Sequence, residues 1–218
     1  MNEQLYSAHK FKTWRENLIN NGLTVNEITE IYTKFRYNGE VLFSFVSVDA
    51  LTPEGGKIPP ICFIRGASVS VLVCFIDKET KEKYLLLVKQ RRVCNGAFSY
   101  EQPAGMVDKD DEPLAVAVRE VEEETGLQVS ESQVIPLNTE AYYSSPGACD
   151  EALYFFYCEI ELSKEEMMQH DSRTMGVKAE HEHIETCVVP MHEAKRLITN
   201  NNGLLNYYLY LEAIATKS

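Results

Sequence analysis

The chain has 218 residues, of which 44% are hydrophobic, and a formal net charge of −12, enough for one full hydrophobic core with a smaller unit appended. Such an acidic balance speaks against nucleic acid as a partner, because sequence-independent phosphate binding rests on cationic surface. No apolar run nears the ~18 residues of a membrane span, and the N-terminus lacks the basic-then-apolar order of a signal peptide, so no membrane partner and a cytoplasmic location are expected.

In chain order, Phe11, Trp14 and Leu18 recur at helical spacing, and Asn21-Gly22 would end that helix. Residues 25–32 mix helix and strand signals. Residues 41–48 read as a strand and Thr52-Pro-Glu-Gly-Gly56 as a turn. Residues 1–58 are therefore expected to form a small, partly β N-terminal domain, with residues 59–218 as the main one. In the main domain, residues 67–76 form a continuous apolar strand, paired with residues 84–89 across a polar turn. Further strands are expected at 133–139, 152–160 and 183–190, and closing helices at 191–199 and 204–215. Strands, one central helix, more strands and terminal helices belong to the α+β class. The six cysteines, Cys62, Cys74, Cys94, Cys149, Cys158 and Cys187, lack the tight patterning of a disulfide or zinc framework and read as buried or incidental thiols.

The central helix carries the chemistry. Asp110 or Asp111 is placed to cap its start, Pro113 suits its first turn, and Gly126 suits the residue just past its end. Leu114, Ala117, Val118 and Val121 give one apolar stripe. Glu120, Glu123 and Glu124 share another face, since residues three and four apart are neighbours on a helix. That patch lies near the helix C-terminus, where the dipole prefers cations. A bound divalent ion would offset both the mutual repulsion and the dipole. Carboxylate oxygens are hard ligands suited to Mg²⁺ or Mn²⁺. A charge run alone usually means a solvated face, but Pro103-Ala104-Gly105 before it, Arg119 beside the first glutamate and Gly126-Leu127 after it make a loop-helix-loop.

That arrangement resembles the Nudix box, in which a glycine, an Arg-Glu pair, two further glutamates and a closing Gly-aliphatic pair fall at fixed spacings. Gly105, Arg119, Glu120, Val121, Glu123, Glu124, Gly126 and Leu127 match it. Asp111 stands where the box has its first glutamate, one methylene shorter, which bears on support of the arginine more than on metal binding. The resemblance implies a Nudix α/β/α sandwich with a mixed sheet. It also implies Mg²⁺ or Mn²⁺ held by Glu120, Glu124 and the Ala104 carbonyl, with Glu123 in the catalytic set and near enough to share the metal.

Three flanking segments extend the likeness across residues 65–151. Arg65-Gly66 leads into the core strand. Gln90-Arg-Arg92-Val93 leaves its partner and is followed by Glu101-Gln-Pro-Ala-Gly105. Ser145-Pro-Gly147 lies four residues before Glu151. Arginine's planar fork pairs bidentately with phosphate oxygens, which makes Arg92 the first candidate for phosphate and Arg65 the second. Each is also readable as a solvated charge at a strand end or turn. Together these segments are similar to the ADP-sugar branch of the Nudix enzymes, and the resemblance adds Glu101 and Glu151 to the substrate-binding set. It also implies a homodimer in which residues 1–58 of one subunit reach the neighbour's substrate.

Residues 171–185 are polar, begin without clear periodicity and read as a lid-like loop that ends in a strand. By the resemblance a glutamate here acts as general base and another reaches the metal. Glu180 is the better candidate base and Glu182 the better metal neighbour; the roles are exchangeable, with Glu185 as an outsider. The His181-x-His183 pair, lacking cysteine partners, makes a weak case for zinc. For an adenine, Tyr32, Phe35, Tyr142 and Tyr143 are stacking candidates, each equally a packing residue.

The expected reaction is metal-dependent hydrolysis of the diphosphate bond of a nucleoside diphosphate sugar, of ADP-ribose or ADP-glucose type, to a nucleoside monophosphate and a sugar phosphate. Alternatives are a UDP-sugar or other nucleotide diphosphatase of the same fold. A sensor that binds the sugar nucleotide without cleaving it is a further one.

Overall fold

A computed structural model describes residues 2–108, 112–176 and 183–216. They fall into two compact units: Met1–Ser68, Met106–Asp111 and Ala141–Leu153 make the first, and Val69–Gly105, Glu112–Glu140 and Tyr154–Ser218 the second.

In the first unit, helices α1 (Glu3–Ser7) and α2 (His9–Asn20) precede strands β1 (Thr24–Phe35), β2 (Val41–Leu51) and β3 (Ile61–Ile64), which pair antiparallel in the order β1-β2-β3. Alternation along β2 turns Ser44, Val46, Val48 and Ala50 inward. Val46 and Val48 pack with Leu5, Phe11, Trp14 and Ile64 in the unit's core. The helical spacing of Phe11 and Trp14 is thus the buried face of α2, while the ambiguous stretch after residue 25 becomes strand because β2 pairs along it. The sheet continues past residue 58, since Ser44 to Ser47 pair with Ile64 to Ile61. Further on, Phe63 N donates to Ala148 O over 2.7 Å, which brings the 141–153 segment into this unit. On the opposite face an aromatic row, Tyr32, Phe43, Phe63 and Phe45, has neighbouring ring centroids 5.0–6.3 Å apart. Of the stacking candidates Tyr32, Tyr142 and Tyr143 are exposed, whereas Phe35 packs against the core.

The second unit is built around β4 (Ser68–Asp77) and β5 (Lys83–Arg91), antiparallel neighbours. Chain order then gives β6 (Phe98–Glu101), β7 (Ala104–Met106), α3 (Pro113–Thr125), β8 (Ile135–Pro136), β9 (Tyr142–Tyr143, counted in the first unit), β10 (Ala152–Leu162), α4 (Lys164–Met168), β11 (Thr174–Met175), β12 (Ile184–Pro190), α5 (Met191–Leu197) and α6 (Asn201–Ala215). The main sheet runs β11-β12-β5-β4-β10-β8, with β6 on β5, β7 on β4 and β9 on β10. Strand β4 is buried along nearly its whole length, as its unbroken apolar run requires of a strand covered on both faces. Leu72, Cys74, Leu85 and Leu87 pack on one face with Ala194, Ile198, Tyr207 and Tyr210 of the closing helices. Residues of opposite parity, Val71, Val73, Leu86 and Val88, are equally buried, and α3 lies against β5, β11 and β12. The result is helices on both faces of a mixed sheet. Among the described residues no helix is long and apolar enough to cross a membrane.

Three local readings are corrected by physics that spacing does not carry. Glu112, not Asp110 or Asp111, is the N-cap of α3, because Pro113 occupies the first helical position. The buried stripe of α3 is Val116, Ala117 and Val121, with Leu114 and Val118 only half-buried. The strand expected over 133–139 shrinks to Ile135–Pro136, since a proline has no N–H to continue the ladder.

Gly126 ends α3 in the left-handed region, at φ 67°, and its N–H donates to Glu122 O. A Cβ there would also lie 2.7 Å from the Arg173 guanidinium. Gly126→Ala is expected to cost about 1–2 kcal/mol, read as a lower urea midpoint with unchanged slope; an unchanged midpoint would refute this account of the helix end.

Candidate active site

The box glycine is explained by contact. Gly105 lies so close to the α3 carboxylate of Glu120 that a Cβ built on it would occupy the same space as the carboxyl carbon and oxygens. One turn along, Glu124 is 6% exposed, and its Oε2 accepts a hydrogen bond from Ala104 N over 3.1 Å. The i, i+4 spacing therefore places two carboxylates against the backbone of one tripeptide, Pro103-Ala104-Gly105. That tripeptide is itself held: Val71 N of β4 donates to Pro103 O over 2.9 Å. Before it, the buried Gln102 donates through Nε2 to Gly203 O of α6 over 3.0 Å. Arg119, next to the first of these glutamates, has its Nη2 3.9 Å from Glu120 Oε1. Glu123, which the box spacing groups with them, is exposed.

This donor set fits a hard divalent cation. Two carboxylates lie against the backbone at Ala104 and Gly105, and oxygen donors suit Mg²⁺ or Mn²⁺. Among the described residues no three His, Cys, Asp or Glu side chains gather into a closed metal cage. Mg²⁺ does not need one, because it keeps waters and binds through one or two carboxylates together with substrate phosphates.

The two candidate phosphate arginines are each held by a carboxylate. In the second unit Arg92 makes a two-bond fork to Glu101, Nε to Oε1 over 2.9 Å and Nη2 to Oε2 over 2.7 Å. Burial alone would raise the Glu101 carboxyl, but the hydrogen bond and charge of Arg92, with a hydrogen bond from Ser99, outweigh it and hold the carboxyl below its usual range. In the first unit Arg65 Nε lies 2.7 Å from Glu151 Oε1. The spacing of the sequence did not single out Asp150, yet its Oδ1 accepts from Arg65 N over 2.6 Å and Gly66 N over 3.1 Å, fixing the backbone from which Arg65 projects. Burial pushes the Asp150 carboxyl up, against those two hydrogen bonds. Its one visible signal is its position just before Glu151.

The polar stretch from residue 171 is more ordered at its start than a lid reading expects. Asp171 Oδ1 accepts from Val188 N over 2.7 Å, and Thr174 and Met175 pair with Glu185 and Ile184 as β11 and β12. Glu185 itself sits on β12 and pairs with Lys89 over 3.1 Å. The two glutamates assigned as base and metal neighbour, Glu180 and Glu182, lie outside the described residues, as do His181 and Asp111. Arg173 was not singled out from the sequence at all, yet its Nη1 donates to Thr125 O at the end of α3 over 3.3 Å.

Residues 66–209 match the NUDIX domain family model. A 164-residue stretch is 33% identical to Nudix hydrolase 14, chloroplastic, of Arabidopsis thaliana, covering 72% of this chain and 52% of that protein. The chain thus spans about half the length of that relative. An ADP-ribose pyrophosphatase of Bacillus subtilis is 30% identical over 162 residues, 74% of this chain and 78% of that one. A GDP-mannose pyrophosphatase of Yersinia pestis is 32% identical over 160 residues, covering 70% and 73%. Among solved structures, that of an ADP compounds hydrolase superposes with a TM-score of 0.60 at 15% identity, over 90% of this chain and 96% of that one, which speaks to the fold alone. With the box glycine, its paired carboxylates and a family match over residues 66–209, the chain belongs to the Nudix hydrolase family.

Proposed function

We propose that this protein hydrolyses the diphosphate bond of an ADP-sugar, ADP-ribose or ADP-glucose, with Mg²⁺ or Mn²⁺. The observation that carries the reading is the pair Glu120 and Glu124 set against Ala104 and Gly105, in a family whose similar members include an ADP-ribose pyrophosphatase. Glu120 and Glu124 would hold the ion, with the Ala104 carbonyl and Glu182 as the further ligands. Their i, i+4 spacing on one rigid helix fixes the separation of the two carboxylates. The Ala104 N–H keeps the Glu124 carboxylate aimed. When bound, the cation neutralises phosphate oxygens and makes water a stronger nucleophile near neutral pH. Arg92, aimed by Glu101, pairs with diphosphate oxygens; Arg65, aimed by Glu151, is the corresponding residue of the first unit.

Glu180 takes the proton of the attacking water. Hydroxide adds to one phosphorus, the bridging P–O bond breaks, and a nucleoside monophosphate and a sugar phosphate leave. Glu123 stands beside the metal pair in the box and supports it from the exposed side of α3. A homodimer belongs to this reading, and the aromatic row of the first unit, in which Tyr32 and Phe45 are exposed, supports it. A second reading, a GDP-sugar substrate, is supported by the GDP-mannose pyrophosphatase relative.

Turnover of ADP-ribose, ADP-glucose, GDP-mannose, UDP-glucose and dGTP, followed by release of monophosphate with Mg²⁺ or Mn²⁺, separates these readings. The ADP-sugars are expected to lead, and a preference for GDP-mannose would move the assignment to the second. Glu124→Gln is expected to lower kcat by about 10²–10³-fold at saturating metal, since a metal contributes several kcal/mol to the transition state; a near-wild-type rate removes Glu124 from the ligand set. Gly105→Ala, which forces the Glu120 carboxylate aside, is expected to raise the Mg²⁺ needed for half-maximal rate by about tenfold, measured with circular dichroism to show the fold retained. Glu180→Gln is expected to lower kcat by about 10²–10⁴-fold without altering the Mg²⁺ requirement. The same change at Glu182 is expected to raise that requirement, and the opposite pattern exchanges the two roles.

A further inference from the structure

We infer that Arg173 is a positioning residue for the metal site: it ties the last turn of the box helix to the central sheet and thereby sets the site's affinity for the divalent ion. The inference rests on the proposed metal role of Glu120 and Glu124 and goes beyond it, since Arg173 belongs to neither the box nor its flanking motifs.

The main chain of Arg173 is fixed on the sheet side. Its N–H donates to Thr186 Oγ1 over 2.9 Å, and its carbonyl accepts from Thr186 N over 2.9 Å. Thr186, on β12, is buried and also donates through Oγ1 to His170 O over 2.6 Å. Ser172, just before Arg173, has φ 56°. A non-glycine residue in that region persists only where its surroundings over-determine it. Here Ser172 N donates to Thr186 O, while Asp171 next to it holds Val188 N. This turn sends the Arg173 side chain to α3, where the guanidinium donates to Thr125 O and lies over the α-carbon of Gly126. The left-handed glycine leaves space that any Cβ would fill, so helix end and guanidinium fit as a pair.

Thr125 follows Glu124 directly, so the turn that Arg173 holds is the one that carries the buried ligand. Thr125 is itself tied down, its hydroxyl bonded to Val121 O and accepting Leu127 N. A shift of that turn would move the Glu124 carboxylate off Ala104 N. Two opposing effects follow from removing Arg173. Loss of a positive charge would favour a nearby cation, and loss of the anchor would loosen the carboxylates. Positioning wins, because helix side chains lean toward the N-terminus, so the carboxylates point away from the terminal carbonyl that Arg173 touches. An outer-shell partner of this type is worth about 10–100-fold in metal affinity.

The test is direct Mn²⁺ binding by electron paramagnetic resonance of the purified full chain, at a temperature well below unfolding, with thermal melts alongside. Arg173→Ala is expected to bind Mn²⁺ about tenfold more weakly than wild type. Arg173→Lys keeps the charge but loses the planar fork and is expected to fall between them. Ser163→Ala, which removes the side-chain cap of α4, serves as a control of comparable stability loss and is expected to leave affinity unchanged. Equal affinity in Arg173→Ala and wild type overturns the inference, and so does tighter binding, which would mean that charge outweighs position. If Arg173→Ala does not fold, Arg173→Lys decides alone: weaker Mn²⁺ binding with a wild-type melt supports the role, and unchanged binding overturns it. Wild-type protein that binds no Mn²⁺ overturns the metal reading of the box itself, an outcome distinct from wild type and Arg173→Ala binding alike.

Discussion

The close approach of Gly105 to the Glu120 carboxylate is the constraint on which the rest of the site depends. A helix surface and a backbone segment are brought to a separation that admits no Cβ, so glycine is required opposite the Glu120 carboxylate. Once that contact is made, Glu124 falls one turn further on, within hydrogen-bonding reach of Ala104 N. The other features hold one of these two partners still. Gln102 and Val71 fix the tripeptide from the α6 and β4 sides, and Gly126 and Arg173 fix the helix end. Like-charged carboxylates on one helix face destabilise it by a few tenths of a kcal/mol per pair, a small cost for a helix that also buries Val116, Ala117 and Val121.

That constraint also explains what was legible in the sequence. The box is local: glycine, carboxylates and terminal glycine lie within 23 residues, Gly105 to Leu127, and helical periodicity converts their spacing into geometry without knowledge of the rest of the chain. Strand β4 was legible for a related reason, since burial on both faces leaves an unbroken apolar run. What escaped is whatever depends on partners far along the chain. Strand β3 has only four residues and exists because β2 pairs with it. Asp150 acts on backbone 84 and 85 residues away, and Arg173 reaches Thr125 across 48. No periodicity records such contacts.

The overlong strand expected over 133–139 is a further case of tertiary context. The ladder does not simply stop at Pro136. Leu137 N still donates to Phe155 O over 2.7 Å, and the side chain of Asn138 takes over as acceptor from Phe155 N, also at 2.7 Å. An Asn side chain is replacing main chain where the proline has broken the register, so hydrogen-bond supply to β10 continues beyond the regular strand. Apolar alternation tells that a segment lies along a sheet; it does not tell which groups, backbone or side chain, meet the sheet's edge.

For a chain of charge −12, the proposed dianionic diphosphate substrate calls for local positive charge without a surface of general anion affinity. Its arginines answer this by being paired. Arg92, 44% exposed, lies in a fork with Glu101, 15% exposed, and Arg65 makes a single ion-pair contact with Glu151. Each carboxylate is mostly buried while its arginine is about half open to solvent, so the pair orients a guanidinium and leaves it within reach of an anion. A phosphate of higher charge can then share or take over the fork, because charge-assisted bonds to arginine are of about equal kind for carboxylate and phosphate. Meanwhile Arg92 holds the Glu101 carboxyl below its usual range despite its burial, so the ionised form that aims the arginine is favoured. The acidic balance of the chain and its expected anionic substrate are thereby reconciled at single residues: the carboxylates set the direction of the positive charge, and only a ligand that offers more than a carboxylate does can redirect it.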